Sequence, residues 1–142
     1  MFNISHYPNI NIYINFIPKS PVSDDYNCIA WSLGIDYMSV GHENLRGIYW
    51  SPNISKIPNI NNYKRMYNYY GFIDADDSSI EIGYEKIVIY IKDGIVTHAA
   101  KQYNKDWWHS KMGASVDAIH HLNAIQGAIY GYPEFYMKRK NS

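Results

Sequence analysis

The segment from residue 84 to 112 constrains the fold of this 142-residue chain more than any other. Its first part, "YEKIVIYI", is almost wholly apolar or β-branched, which is typical of a strand buried within a sheet. Asp93-Gly94 is a pair that forms tight turns between antiparallel strands, and Asn104-Lys105 predicts a second turn. The segment therefore predicts an antiparallel meander of three strands: Tyr84 to Ile91, Ile95 to Tyr103 and Asp106 to Met112.

Two helical patterns precede this meander. The first predicted helix runs from about Asp25 to Leu33, with Ser23 or Asp24 as its cap and Gly34 at its end. The second runs from Asn59 to Tyr70. Its apolar side chains recur at helical spacing, which predicts a stripe that packs into the core. The stripe consists of Ile60, Tyr63, Met66, Tyr67 and Tyr70.

The order of the elements predicts an α+β fold, with helices followed by an antiparallel sheet. Gly113 is predicted to end the third strand, and residues 115–123 to hold a helical turn. Tyr130 to Met137 predicts a last strand, in which Pro133 requires an edge or a bulge. The length suits one domain over residues 1–142, with 1–22 as a leading loop or edge strand and 23–139 as the core.

Composition narrows the environment of the protein. The 13 basic and 13 acidic side chains balance, so charge gives no reason to expect a nucleic acid or membrane partner. A single cysteine excludes an internal disulfide. The N-terminus lacks the basic start and apolar run of a signal peptide, and no apolar stretch has the length of a membrane span. We expect a protein made in the cytoplasm, which stays there or leaves without a classical signal.

Cys28, within "DDYNCIAWSLG", is the first candidate catalytic residue. In the first turn of a helix, backbone N–H groups favour the thiolate, which is the nucleophilic form of cysteine. The alternative reading is a small buried apolar residue. For a nucleophile, we expect alkylation at a rate that rises well below the pKa of a free thiol.

His98 is the candidate base for Cys28. It lies within the predicted strand "GIVTHAAKQY", and its neighbours Ala99 and Ala100 leave space for another group to approach the ring. The alternative is a hydrogen-bonded histidine in the core.

A third group to orient the imidazole should come from the next strand, where "DWWHSKMG" supplies His109, Ser110 and Lys111. A two-residue turn at Asn104-Lys105 would place His109 on the face of His98, and a three-residue loop would place Ser110 there.

These residues carry a resemblance to known proteins. A cysteine at a helix start, a histidine in a strand and a polar residue in the next strand resemble the papain-like cysteine hydrolases of the compact NlpC and CHAP kind. More closely, six segments look like those of an uncharacterised bacterial domain family: "YNCIAW", "YEKIVIYI", "GIVTHAAKQ", "HSKMG", "IHH" and "IYGYPEFYMKR". The resemblance covers residues 24–139.

The resemblance implies a compact papain-like fold, with N-terminal helices packed on an antiparallel sheet. It implies Cys28 and His98 as the catalytic pair, and it marks Ser110 and Lys111, not His109, as the motif positions of the third strand. Ser110 is thus the third catalytic residue implied, although serine is unusual in this role. The Cys28 N–H is the natural first oxyanion donor, with Asn27 as a candidate second donor and Trp31 packing under the site.

The sequence therefore predicts a cysteine hydrolase that acts on an amide bond of a protein or peptide-type substrate. Protease, peptidoglycan amidase and glutamine deamidase share this machinery, and the small domain suits a bacterial effector, a toxin or a phage-borne protein. The alternative is a non-catalytic binding module of the same fold. Its recognition surface would consist of exposed Tyr49, Trp50, Trp107 and Trp108.

No cofactor is expected, because the chain has no glycine-rich phosphate loop. Cys28 and the histidines, His42 among them, are potential zinc ligands, but none of them has a zinc-binding spacing, so no metal is predicted.

Overall fold

The computed structural model describes residues 3–20, 23–112 and 116–141. After a short 3-10 turn at Ile4–His6, its elements are β1 (Phe16–Pro18), α1 (Cys28–Leu33), β2 (Ser39–Val40), β3 (Ile48–Tyr49), α2 (Ile60–Tyr69), β4 (Ile73–Ala75), β5 (Tyr84–Lys92), β6 (Ile95–Gln102), β7 (Trp108–Lys111), β8 (Asp117–His120) and β9 (Tyr132–Lys140). Seven strands form one antiparallel sheet in the order β1-β8-β7-β6-β5-β9-β4, and β2 and β3 form a parallel pair. The fold is α+β and mostly antiparallel sheet.

The helices are smaller than the sequence predicts. α1 has six residues and begins at Cys28, three residues later than expected, and Gly34 ends it with a left-handed φ of 85°. α2 follows its prediction closely, with Asn59 as its cap. Tyr63, Met66 and Tyr67 on its predicted stripe are buried.

The β5–β6 hairpin is confirmed, but the next turn is longer than two residues. Asp93 and Gly94 adopt positive φ angles of 52° and 78° between β5 and β6. After β6, the N–H of Tyr103 donates to the carbonyl of Trp107, so the loop holds three residues. The β6–β7 register pairs Lys101 with His109. Of the two registers left open by the sequence, this one turns Ser110 to the face of His98.

The region after β7 contains a strand where the sequence predicted a helical turn. Asp117–His120 pairs with both β1 and β7, and all four residues are buried. The predicted end of the third strand at Gly113 and the start of that turn at 115 lie outside the described residues. β9 lies between β5 and β4, and its register shifts near Pro133, which confirms a bulge and not an edge.

The sheet separates two cores. On one face, α1 and α2 cover a cluster that includes Ile87, Ile89 and Ala99. On the other face, Tyr7 and the segment before β9 pack on a second cluster that includes Val88, Tyr90 and Ala100. Alternation along β6 therefore sends adjacent side chains into different cores, and this decides which groups can reach Cys28.

Candidate functional site

Asn27 determines where α1 begins. Its Oδ1 accepts hydrogen bonds from the N–H of Ala30 at 3.0 Å and of Val40 at 3.1 Å, and its Nδ2 donates to the carbonyl of Val40 at 2.7 Å. Asparagine is a strong helix cap because its side chain satisfies a free N–H of the first turn. The predicted caps, Ser23 and Asp24, lie upstream of this position. Asn27 thus makes Cys28 the first helical residue and ties it to β2.

Cys28 is half-buried at the start of α1, which packs on β6 and β7. The β6–β7 ladder pairs only residues 101–102 with 108–109, so the backbone beyond it is not bonded to β7. Ala99 lies in this stretch, on the face of the sheet that α1 covers. Burial raises the pKa of the thiol from 9.0 to about 11, against the lowering effect of backbone hydrogen bonds from Ala99, Ile29 and Cys28 itself. The resting group is therefore a thiol, not the thiolate that the sequence favoured.

Cys28 lines a cleft of about 340 Å³. Its walls come from the start of α1, the loop after β2, the buried face of α2, the bulge of β6 and the segment before β9. The lining residues are Asn27, Cys28, Ile29, His42, Glu43, Tyr63, Val96, Thr97, Ile129 and Tyr130. A nucleophilic group thus shares one cleft with an imidazole, a carboxylate and three hydroxyl groups.

His42, Glu43 and Tyr63 form the polar group that the sequence analysis missed as a site. The Nδ1 of His42 lies 2.7 Å from the Tyr63 hydroxyl and 3.6 Å from the Glu43 carboxylate. His42 had been considered only as a metal ligand. The sequence feature that could have indicated this site is the segment "GHE" at 41–43, which lies between the two predicted helices.

His98 lies in the other core. Its fully buried ring stacks on Tyr130 with 4.0 Å between centroids and contacts Tyr90 edge-on at 5.5 Å. Within the described part of the chain, neither ring nitrogen has a hydrogen-bond partner. Burial, with a smaller effect from nearby His120, lowers the pKa of His98 well below its ordinary value. Because Ala99 faces α1, its neighbour His98 faces away from the Cys28 cleft.

The three candidates for a third catalytic group also have other partners. The Ser110 hydroxyl lies 2.8 Å from Nε2 of His120, and among the described residues neither nitrogen of His98 has a partner, so the expected hydrogen bond from Ser110 to His98 is not formed. Nε2 of His109 lies 2.6 Å from the Asp117 carboxylate. Lys111 donates to the carbonyl of Ser23.

Trp31 lies outside the cleft lining. Its Nε1 donates to the carbonyl of His109 at 3.2 Å, and its ring packs edge-on against the imidazole of His109. Trp31 therefore helps to fix α1 on β7.

Because His98 and His120 are buried and neutral, we expect the folded protein to lose stability at acidic pH. Burial lowers the pKa of His120 from 6.5 to about 4, and that of His98 in the same direction. Below pH 6.5, these imidazoles bind protons in the unfolded chain but stay neutral in the folded protein. The free energy of unfolding therefore falls as the pH drops from 6.5 towards 4. His120 alone should account for a loss of about 3 kcal/mol of unfolding free energy. Urea denaturation at steps between pH 7 and 4.5 measures this loss.

A matched variant checks the origin of that loss. His120→Gln should show a smaller decrease between pH 6.5 and 4.5 than the wild type, whatever its stability at pH 7. A wild-type stability that stays constant over this range would contradict the burial of both imidazoles.

The prediction of a recognition surface made of four exposed aromatic side chains is wrong for two of them. Trp50 and Trp108 are 7% and 2% exposed, because they pack in the two cores, while Tyr49 is exposed and Trp107 is half-buried. Trp107 and His121 lie edge-on and line a second cleft of about 520 Å³. The other residues of this cleft are mainly polar: Asn9, Asn15, Asp106, Leu122, Asn123 and Ala124.

The fold and the cleft together define a small α+β domain with a cysteine-lined cleft. The chain belongs to a family described as a domain of unknown function, DUF7689, which matches residues 18–138. No curated protein and no solved structure shows significant similarity to the chain. Over residues 3–20, 23–112 and 116–141, no helix could cross a membrane. In the same ranges, no three His, Cys, Asp or Glu side chains are grouped to hold a metal ion.

Proposed function

We propose that this protein is a cysteine hydrolase that cleaves an amide bond in a peptide-type substrate, on a compact papain-like fold. The observation that carries the proposal is the cleft in which the only cysteine of the chain lies with His42 and Glu43. A thiol needs a base within reach and a space for the acyl group, and His42 and the volume of this cleft are the candidates for these two roles. The further likeness to the papain-like enzymes lies in a cysteine at a helix start, packed against an antiparallel sheet.

The proposed reaction has two stages. The sulfur of Cys28 attacks the carbonyl carbon while a base takes the thiol proton, because a thiol with a pKa of about 11 is not ionised at neutral pH. The carbon–nitrogen bond then breaks, and the amine leaves with that proton. Water attacks the resulting thioester, which releases the carboxylic acid and restores the thiol.

The acyl-enzyme provides the direct test. We expect p-nitrophenyl acetate to acetylate Cys28 and to be turned over, with p-nitrophenolate released in a burst when thioester hydrolysis is slower than acylation. Peptide mapping of the quenched reaction by mass spectrometry locates the acetyl group. Absence of acetyl-Cys28 under conditions that acetylate free cysteine would refute a nucleophilic role.

Alkylation of Cys28 should have an unusual pH dependence. The thiolate is the reactive form, and a pKa of about 11 instead of 9.0 leaves about a hundredfold less of it at pH 8. We therefore expect slow labelling by iodoacetamide near neutrality and a steep rise above pH 9. This reverses the expectation from the sequence. A rate that levels off below pH 8 would show that desolvation does not raise the pKa of the thiol in this way.

The second candidate is a binding module, favoured by the cleft beside Trp107 and His121. In such a cleft, the face of the aromatic ring can pack on a polar ligand. The neighbouring amide and carboxylate side chains can hydrogen bond to the hydroxyl or amide groups of that ligand. If this cleft carries the function, Trp107→Ala should remove the biological effect and Cys28→Ala should preserve it. The reverse pattern would favour the hydrolase.

A further inference from the structure

We propose that His42, and not His98, is the acid–base partner of Cys28, with Tyr63 and Glu43 as the residues that position it. This inference rests on the proposed cysteine-hydrolase function. It adds a catalytic role for His42 and positioning roles for Tyr63 and Glu43, three residues that no motif in the sequence had marked.

Asn27 brings the two chemical groups together. Asn27 directly precedes Cys28, and its side chain hydrogen bonds to both the N–H and the carbonyl of Val40. His42 follows Val40 by two residues, and Gly41 between them donates its N–H to the carbonyl of Tyr49. The loop of His42 is therefore bonded to the residue before the nucleophile, and both side chains line the same cleft.

Tyr63 holds the imidazole from the side of α2. Its hydroxyl accepts from the backbone N–H of His42 at 3.4 Å and lies 2.7 Å from Nδ1. The phenol is 2% exposed and packs on Trp50, so its position is fixed by the core. Burial raises the pKa of Tyr63 well above its ordinary value, so the phenol stays neutral throughout the working pH range.

Glu43 decides which nitrogen of His42 carries the proton. Its carboxylate lies 3.6 Å from Nδ1, where a negative charge favours a proton on that nitrogen. Nδ1–H then donates to Tyr63. A side chain at position 41 would come within 2.3 Å of this carboxylate, so Gly41 leaves the space that Glu43 occupies.

This arrangement leaves Nε2 of His42 with a free lone pair. In the described ranges, Nε2 makes no hydrogen bond to the protein, whereas both nitrogens of His98 are sealed in the opposite core. Nε2 can take the proton of Cys28, directly or through one water molecule, as carbon–sulfur bond formation proceeds. The same proton then passes to the leaving amine. His98 has no comparable route, because its strand backbone and the ring of Tyr130 enclose it.

The test compares histidine variants with p-nitrophenyl acetate as the probe. His42→Ala should lower kcat at least about a hundredfold, as removal of a general base does. Added imidazole should restore part of that loss, because the vacated space opens to the cleft. His6→Gln, an exposed histidine outside both clefts, is the matched control and should retain wild-type kcat.

Tyr63→Phe separates positioning from support of the fold. It removes only the hydroxyl, so kcat should fall about tenfold, as when the second partner of a functional histidine is lost. KM should stay close to the wild-type value, and added imidazole should not rescue this variant.

Each failure has a distinct pattern. Acetylation of wild-type Cys28 together with unchanged turnover by His42→Ala would overturn the role of His42 and leave the hydrolase intact. Loss confined to His98→Gln, in a protein that still melts cooperatively, would assign the base to His98. Failure of the wild type to form acetyl-Cys28 would remove both the proposed function and this assignment.

Discussion

Cys28→Ala is expected to reduce turnover of p-nitrophenyl acetate by at least about three orders of magnitude, because the proposed acyl-enzyme forms on the sulfur of Cys28. Its melting temperature should hardly change. Cys28 is half-buried at the edge of a cleft, so its truncation creates little enclosed cavity and costs less than about 1 kcal/mol. Activity and thermal melting of the same preparation provide both readouts.

Combining substitutions tests whether the two groups act as one unit. Cys28→Ala with His42→Ala should be no less active than Cys28→Ala alone, since members of one catalytic unit do not contribute additively. A Cys28→Ala protein that melts several degrees lower and keeps its biological effect would leave only the binding module.

Gly131→Ala is expected to cause the largest loss of stability, about 4 kcal/mol or more, a size reached when a clash meets a strained backbone. Gly131 has a φ of 72°, and a Cβ there would lie 2.0 Å from the carbonyl oxygen of Ile91 and 2.7 Å from Cα of Lys92. These atoms belong to the backbone of β5, which cannot move aside as a flexible side chain could. Chemical denaturation at pH 7 measures the loss.

Gly47→Ala provides the matched control. Gly47 has a similar φ of 86°, but nothing lies within 4 Å of the position of a Cβ. Only the strain of a left-handed backbone remains, about 1 kcal/mol. Equal losses for the two variants would contradict the close packing of Gly131 on β5. Gly131, within the segment "IYGYPEFYMKR", thus has a structural explanation that does not involve catalysis.

Local patterns in the sequence were sufficient for several elements. Asp93-Gly94 specified a tight turn because both residues tolerate positive φ. The stripe on α2 and the apolar run of β5 predicted those elements within one or two residues. In each case the information lies in neighbouring residues, so no distant contact was needed to interpret it.

Other elements had no local signal. The polar residues of 115–123 predict a helical turn, but β8 forms there with all four residues buried, so it lacks the polar–apolar alternation that marks a half-exposed strand. α1 begins at Cys28 because Asn27 finds partners in both Ala30 and Val40. The second of these contacts joins residues 13 positions apart.

By itself, the sequence determined that the chain forms an antiparallel meander preceded by helices, and that Cys28 lies at a helix start. Only the tertiary structure decided which groups lie next to Cys28. The three-residue loop before Trp107 determined the face of Ser110, and alternation along β6 sent His98 into the core away from α1. The hydrogen bonds of Asn27 brought the loop of His42 to the cleft. Residue types and spacing define possible chemistry, but the pairing of distant segments determines which side chains meet.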